Sequence, residues 1–146
     1  MKINNLCELT ADKFATYSHL ITDQTILNRA THVINENDRV HLAAKVLAEG
    51  NLAEFGRLMY ASHQSLQDLY EVSGKELDTV VEFSRTYPAV TGARMTGAGF
   101  GGCAIAILPK DAVPDYSEKL IAYYTERIGY PCEVYISEIG NGATTI

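Results

Sequence analysis

Thr91-Gly-Ala-Arg-Met-Thr-Gly-Ala-Gly-Phe-Gly-Gly-Cys103 packs five of the chain's 11 glycines into 13 residues. Glycine at this density costs backbone entropy and removes side chains that could pack. It is tolerated where the backbone must adopt positive φ or pass close to another surface. Consecutive N–H groups left uncovered by side chains can form a concave anion site, so phosphate is the first ligand to consider. Gly97, Gly99 and Gly102 match the dinucleotide spacing G-x-G-x-x-G, but that fingerprint requires a strand before it and a helix after it. Here Cys103-Ala-Ile-Ala-Ile-Leu108 follows instead, alternating and closed by Pro109, which predicts a buried strand. No Lys-Ser or Lys-Thr follows the last glycine, so a Walker loop is excluded as well. The plain alternative is a hairpin turn, although ordinary hairpin loops are roughly two to five residues long.

Outward from this stretch the chain divides into a helical part, 11–87, and a strand-loop-strand-helix-strand part, 88–139. Thr10 is placed to cap a first helix. Ile26, Leu27, Ala30, Ile34, Val40, Ala43 and Leu47 recur at helical spacing over Thr25–Glu49, with Asn35-Glu-Asn-Asp38 the weak point where a kink or break is expected. Leu52, Phe55, Met59, Ser62, Leu66 and Leu69 form a stripe that predicts a helix packed on another helix. A shorter helix carrying Leu77, Val80, Val81 and Ser84 ends before Pro88. Beyond Pro88 the period changes. Ala89–Met95 and Gly102–Leu108 predict two strands around the glycines, Pro114 opens a helix that Gly129 ends, and Cys132–Ile136 predicts a third strand. This is an α+β pattern, helices packed on one face of a mainly antiparallel sheet. The final Gly140-Asn-Gly-Ala-Thr-Thr145 is expected to be a loose tail.

A chain of 146 residues with 47% hydrophobic content suits one domain spanning 1–146. A net charge of −6 and 12 scattered Lys and Arg argue against nucleic acid. No apolar run is long enough to cross a membrane and no signal segment opens the chain, so the expected setting is cytoplasmic. Cys7, Cys103 and Cys132 form neither a metal pair nor a disulfide framework. Cys103 and Cys132 are expected to be small buried hydrophobes. His19, His32, His41 and His63 do not pair at the spacing of a zinc helix, and His63 is expected to be a packing or surface residue. Ser62 lies on the apolar stripe, where it permits close helix approach. Arg94, the one charge beside the glycines, faces either an anion or a carboxylate such as Glu138 on a neighbouring strand. Phe100 is expected to plug the loop down. No catalytic constellation and no metal cluster is legible.

Gly92-Ala-Arg-Met-Thr-Gly-Ala-Gly-Phe-Gly-Gly-Cys103 resembles the third conserved motif of the GHMP kinases, and among them of the galactokinases. The resemblance extends through Arg29-Ala-Thr-His-Val-Ile-Asn-Glu-Asn-Asp-Arg39, Ala61-Ser-His-Gln-Ser-Leu66, Tyr70-Glu-Val-Ser73 and Glu76-Leu-Asp78. It implies a ferredoxin-like GHMP kinase C-terminal domain with added helices. It further implies transfer of the ATP γ-phosphate to the anomeric hydroxyl of galactose, with Mg²⁺, in a full-length enzyme. Thr96, Gly97, Ala98, Gly99, Phe100, Gly101 and Gly102 would form the loop near the phosphates. Nothing in the chain resembles the family's sugar-site motif or its Gly-Ser-rich ATP loop. The resemblance therefore implies a missing N-terminal kinase half, an inactive isolated chain and self-association through the uncovered surface. Met1 would stand at an artificial start or at the start of an unusual half-gene. The alternatives are another GHMP sugar kinase, a non-catalytic sugar and ATP sensor, and a free-standing module binding a small regulatory ligand.

Overall fold

The computed structural model describes residues 3–138 and 140. Its first helices begin at side-chain caps, which satisfy N–H groups that have no partner inside the helix. Thr10 accepts from the Lys13 amide at the start of α1 (Ala11–Tyr17), and Asp23 from Ile26 at the start of α2 (Gln24–Ala48). Asn51 accepts from Glu54 and opens α3 (Leu52–Ser65). The stripe read as one long helix ends differently: α3 passes into a π-helical turn, Leu66–Tyr70, which closes on Glu71 in the left-handed region. Then α4 (Lys75–Thr86) leads into the antiparallel strands β1 (Gly92–Thr96) and β2 (Cys103–Ile107), followed by α5 (Val113–Ile128).

No break occurs in α2 at Asn35–Asp38. The weak helix formers there are held by tertiary partners. Glu36 binds Arg39 and Ser62, and Asp38 accepts from the Ala11 amide at 3.2 Å, tying α1 to α2. Tertiary bonds here override intrinsic propensity.

Register pairs Gly92 with Ile107, Arg94 with Ile105 and Thr96 with Cys103. Ala93 and Met95 of β1 are buried, Met95 joining Leu66 and Leu77 in one core cluster. Ala106 packs on a second cluster formed by Phe83, Tyr116 and Leu120 of α4 and α5. A third cluster, Leu9, Phe14, Ala30 and Ile34, joins α1 to α2. Along its other edge β1 runs against α3, and the approach is close. A Cβ on Gly56 would stand 1.8 Å from the Thr91 carbonyl oxygen, and one on Gly92 2.5 Å from the Gly56 Cα. Glycine is the only residue that fits either side of that crossing.

Two expectations about strands are corrected. The segment 132–136 is assigned to no strand and joins no ladder among the described residues. Its alternation holds through Tyr135, with Cys132 and Val134 packed on the α4–α5 cluster and Tyr135 exposed, and fails at Ile136, which is exposed as well. Alternation reports which side faces the core; pairing needs a neighbouring backbone in reach. Nor is β2 a buried strand, because Ile105 is 47% exposed on the face opposite the α4–α5 core. Cys103, expected buried, is exposed on that same open face, whereas Cys132 is half-buried and its thiol is pushed up by burial. The tail 141–146 lies outside the described residues.

Candidate functional site

β1 and β2 are joined by the six residues Gly97–Gly102, and four of the five positions 97–101 take positive φ. Gly97 lies at 74°, Gly99 at 89°, Phe100 at 55° and Gly101 at 83°. Two different pressures select glycine here. At Gly97 an added Cβ would meet nothing within 4 Å, so only the backbone angle matters. At Gly99 a Cβ would stand 2.0 Å from the Val72 carbonyl oxygen and 2.9 Å from Met95 Cε, so space is forbidden as well.

The connection is clamped onto the segment between the π-helical turn and α4. The Phe100 amide donates to the Val72 carbonyl at 2.7 Å and the Gly101 amide to Ser73 at 3.4 Å. Inside the loop the Gly102 amide donates to Gly99 at 3.1 Å. The amides of Gly101 and Gly102 are thus engaged within the fold. The amides of Gly97, Ala98 and Gly99 have no such backbone bond among the described residues. The Glu76 carboxylate flanks the loop on the Gly101 side, where an anion would be repelled. The Gly97–Gly99 turn is therefore the part of the connection whose amides are left without a backbone partner among the described residues.

Phe100 does not plug the loop. It is 77% exposed, because positive φ at this residue turns its side chain out while its amide is held inward. Thr96, the last residue of β1, is exposed beside it.

Arg94 resolves to a carboxylate partner, but not the expected one. Its Nη1 stands 3.4 Å from Glu36 Oε1 on α2, and its Nε donates to the Met95 carbonyl at 2.9 Å. Glu138 instead pairs with Lys110. Arg94, Glu36, Arg39 and Ser62 line a cavity of about 370 Å³ on the open sheet face, with Val40, Phe55, Ile105 and Ile107 as its apolar walls. Ser62, 1% exposed, does sit at a close α2–α3 approach, and its hydroxyl also donates to Glu36.

His63 is buried at 2% exposure and faces the strand, not a ligand. Its Nδ1 accepts from the Met95 amide at 3.2 Å, and its Nε2 stands 3.2 Å from Asp78 Oδ1. Burial holds its pKa below the ordinary histidine value. His32 is likewise lowered by burial; its Nδ1 is 2.8 Å from Ser65 Oγ and its ring packs on Tyr70. The role of His63 was missed by sequence reasoning. The available signal was a polar pair, Ser62-His63, interrupting an apolar stripe that faces a strand. Among the described residues no group of three His, Cys, Asp or Glu could hold a metal ion, and no helix is long and apolar enough to cross a membrane.

The family model for the GHMP kinases C-terminal region matches residues 43–126, more than half of the chain. A galactokinase of Clostridium perfringens is 51% identical over 144 residues, covering 99% of this chain and 37% of the relative. The galactokinase of Lactococcus lactis subsp. lactis is 45% identical over 146 residues, covering 100% of this chain and 37% of the relative. A crystal structure of Lactococcus lactis galactokinase complexed with galactose superposes with a TM-score of 0.94 at 45% identity, over 100% of this chain and 38% of that one. The chain thus spans little more than a third of the length of the curated relatives it matches.

Proposed function

The chain belongs to the GHMP kinase family, whose C-terminal domain it carries, and from that premise we propose that it acts as the C-terminal part of a galactokinase. The activity is transfer of the ATP γ-phosphate to the anomeric hydroxyl of galactose. What carries the reading is a likeness to galactokinases that runs the whole length of the chain and through the glycine connection. The geometry supplies a physical role for that connection. Phosphoryl transfer depends on positioning and on stabilising charge spread over phosphate oxygens. The Gly97, Ala98 and Gly99 amides, fixed by a clamped loop, suit such oxygens and need no reorganisation when they engage.

ATP and Mg²⁺ are the cofactors of this activity. The chain's own donors suit phosphate, and its described residues include no cluster of cation ligands. The catalytic base, the cation ligands and the sugar contacts belong to the rest of the polypeptide, which is the chain's principal partner. A net charge of −6 fits a cytoplasmic enzyme with no nucleic-acid partner. The open sheet face, with Ile105 47% exposed, supports self-association when the chain is alone.

The test is ADP release from ATP, Mg²⁺ and galactose. A galactokinase-length polypeptide ending in this sequence should turn over, and residues 1–146 alone should give no ADP above blank. Turnover by residues 1–146 alone, abolished by loop substitutions, would contradict the division of labour. A full-length polypeptide that phosphorylates N-acetylgalactosamine but not galactose would move the reading to a related sugar kinase.

A further inference from the structure

β1 meets β2 along one edge and α3 along the other, and at Met95 the second edge is completed by side chains. Met95 precedes Thr96, the residue that enters the glycine connection. Its amide donates to His63 Nδ1 at 3.2 Å and its carbonyl accepts from Arg94 Nε at 2.9 Å. Its side chain forms the floor of the loop, as the 2.9 Å between Met95 Cε and a Cβ built on Gly99 indicates. His63 and Met95 are each 2% exposed, so water cannot replace this bond. An Nδ1 that accepts fixes the neutral tautomer with its proton on Nε2. Nε2 stands 3.2 Å from Asp78 Oδ1 without a hydrogen bond between them, and neither buried atom has another partner among the described residues.

We propose that His63 is a positioning residue: through the Met95 amide it fixes the end of β1 and the floor of the glycine connection, and so the aim of the Gly97–Gly99 amides. The consequence for phosphoryl transfer rests on the kinase reading above; the consequence for the loop does not. The charges facing the imidazole are Asp78 and Arg85 from α4 and Arg94 from β1. Burial outweighs the attraction of Asp78, which keeps the ring neutral and Nδ1 free to accept. Protonation would place a second donor against the Met95 amide and break the bond.

Two substitutions separate the two faces of the ring in a galactokinase-length polypeptide carrying this chain. In His63→Asn the side-chain oxygen takes the place of Nδ1 and still accepts from Met95. In His63→Gln the amide reaches toward Asp78 but leaves the Met95 amide without an acceptor. His63→Asn should keep kcat within about threefold of the parent, whereas His63→Gln should lose about tenfold in kcat at unchanged KM for the sugar. Exchange of the Phe100 and Gly101 amides should accelerate in the Gln variant and not in the Asn variant. Equal behaviour of the two variants, or a Gln variant that matches the parent, would overturn the proposal. A parent without phosphoryl transfer would defeat the kinase reading and leave the exchange comparison to decide this one. Should both variants fail to fold, ¹⁵N-histidine spectra of the unsubstituted protein decide it. An Nε2-protonated His63 whose titration moves the Met95 amide supports the proposal, and an Nδ1-protonated ring or an unresponsive Met95 amide refutes it.

Discussion

The glycine connection 97–102 and the run 132–138 both follow strand-like patterns near the sheet, and they end up held in different ways. The first is fixed by its own backbone. Three of its glycines take positive φ, and its amides reach back to Val72 and Ser73. The second is held by side chains alone, with Cys132 and Val134 seated on the Phe83, Tyr116 and Leu120 cluster and no ladder among the described residues. Glycine density reports a local conformational need, which the local sequence can express. Alternation reports a buried side, and says nothing of whether another backbone lies within bonding distance.

If that contrast holds, damage should be severe in the first region and slight in the second. Gly99→Val combines a φ of 89° with a Cβ 2.0 Å from a carbonyl oxygen, so it should cost about 3 kcal/mol by urea denaturation. Gly97→Ala meets only the angle and should cost about 1 kcal/mol. Equal costs would mean that close approach to Val72 is not what selects Gly99. At the other end, Tyr135→Ala removes a ring that is 85% exposed and should change stability by less than about 0.5 kcal/mol. A larger loss there would show that 132–138 is held by more than its inward residues.

A pH series sharpens the same contrast, because the loop side rests on neutral histidines. His32 and His63 have folded pKa values lowered by burial, so the unfolded chain binds more protons at acid pH. Their contribution is complete above the unfolded value of about 6.5 and is lost as pH falls through the lower folded values. Urea midpoints should therefore decline below that point. Replacing His63 by Asn should flatten the decline, and an unchanged slope would remove His63 from the account.

Much of this architecture was legible in the sequence because it depends on spacing. The stripe from Leu52 placed α3, Pro114 and Gly129 bounded α5 closely, and the glycines marked the connection. What escaped depends on partners distant in sequence. Asn35–Asp38 looked like a break, yet Ser62 and the Ala11 amide hold Glu36 and Asp38 in place. Arg94 was assigned an anion or Glu138, and found Glu36, 58 residues earlier. Phe100 looked like a plug because it is apolar, and its positive φ turned it outward. His63 looked like packing. Its ring serves as hydrogen-bond acceptor for a strand edge 32 residues later, which spacing on α3 could not show.

The claim that the connection serves phosphate through its Gly97–Gly99 turn is tested most directly at Gly97, where an added methyl group meets nothing within 4 Å. In a galactokinase-length polypeptide, Gly97→Ala should lower kcat by more than about tenfold while the thermal midpoint falls only a few degrees. Parental turnover in that variant would contradict the account and leave the connection a hairpin.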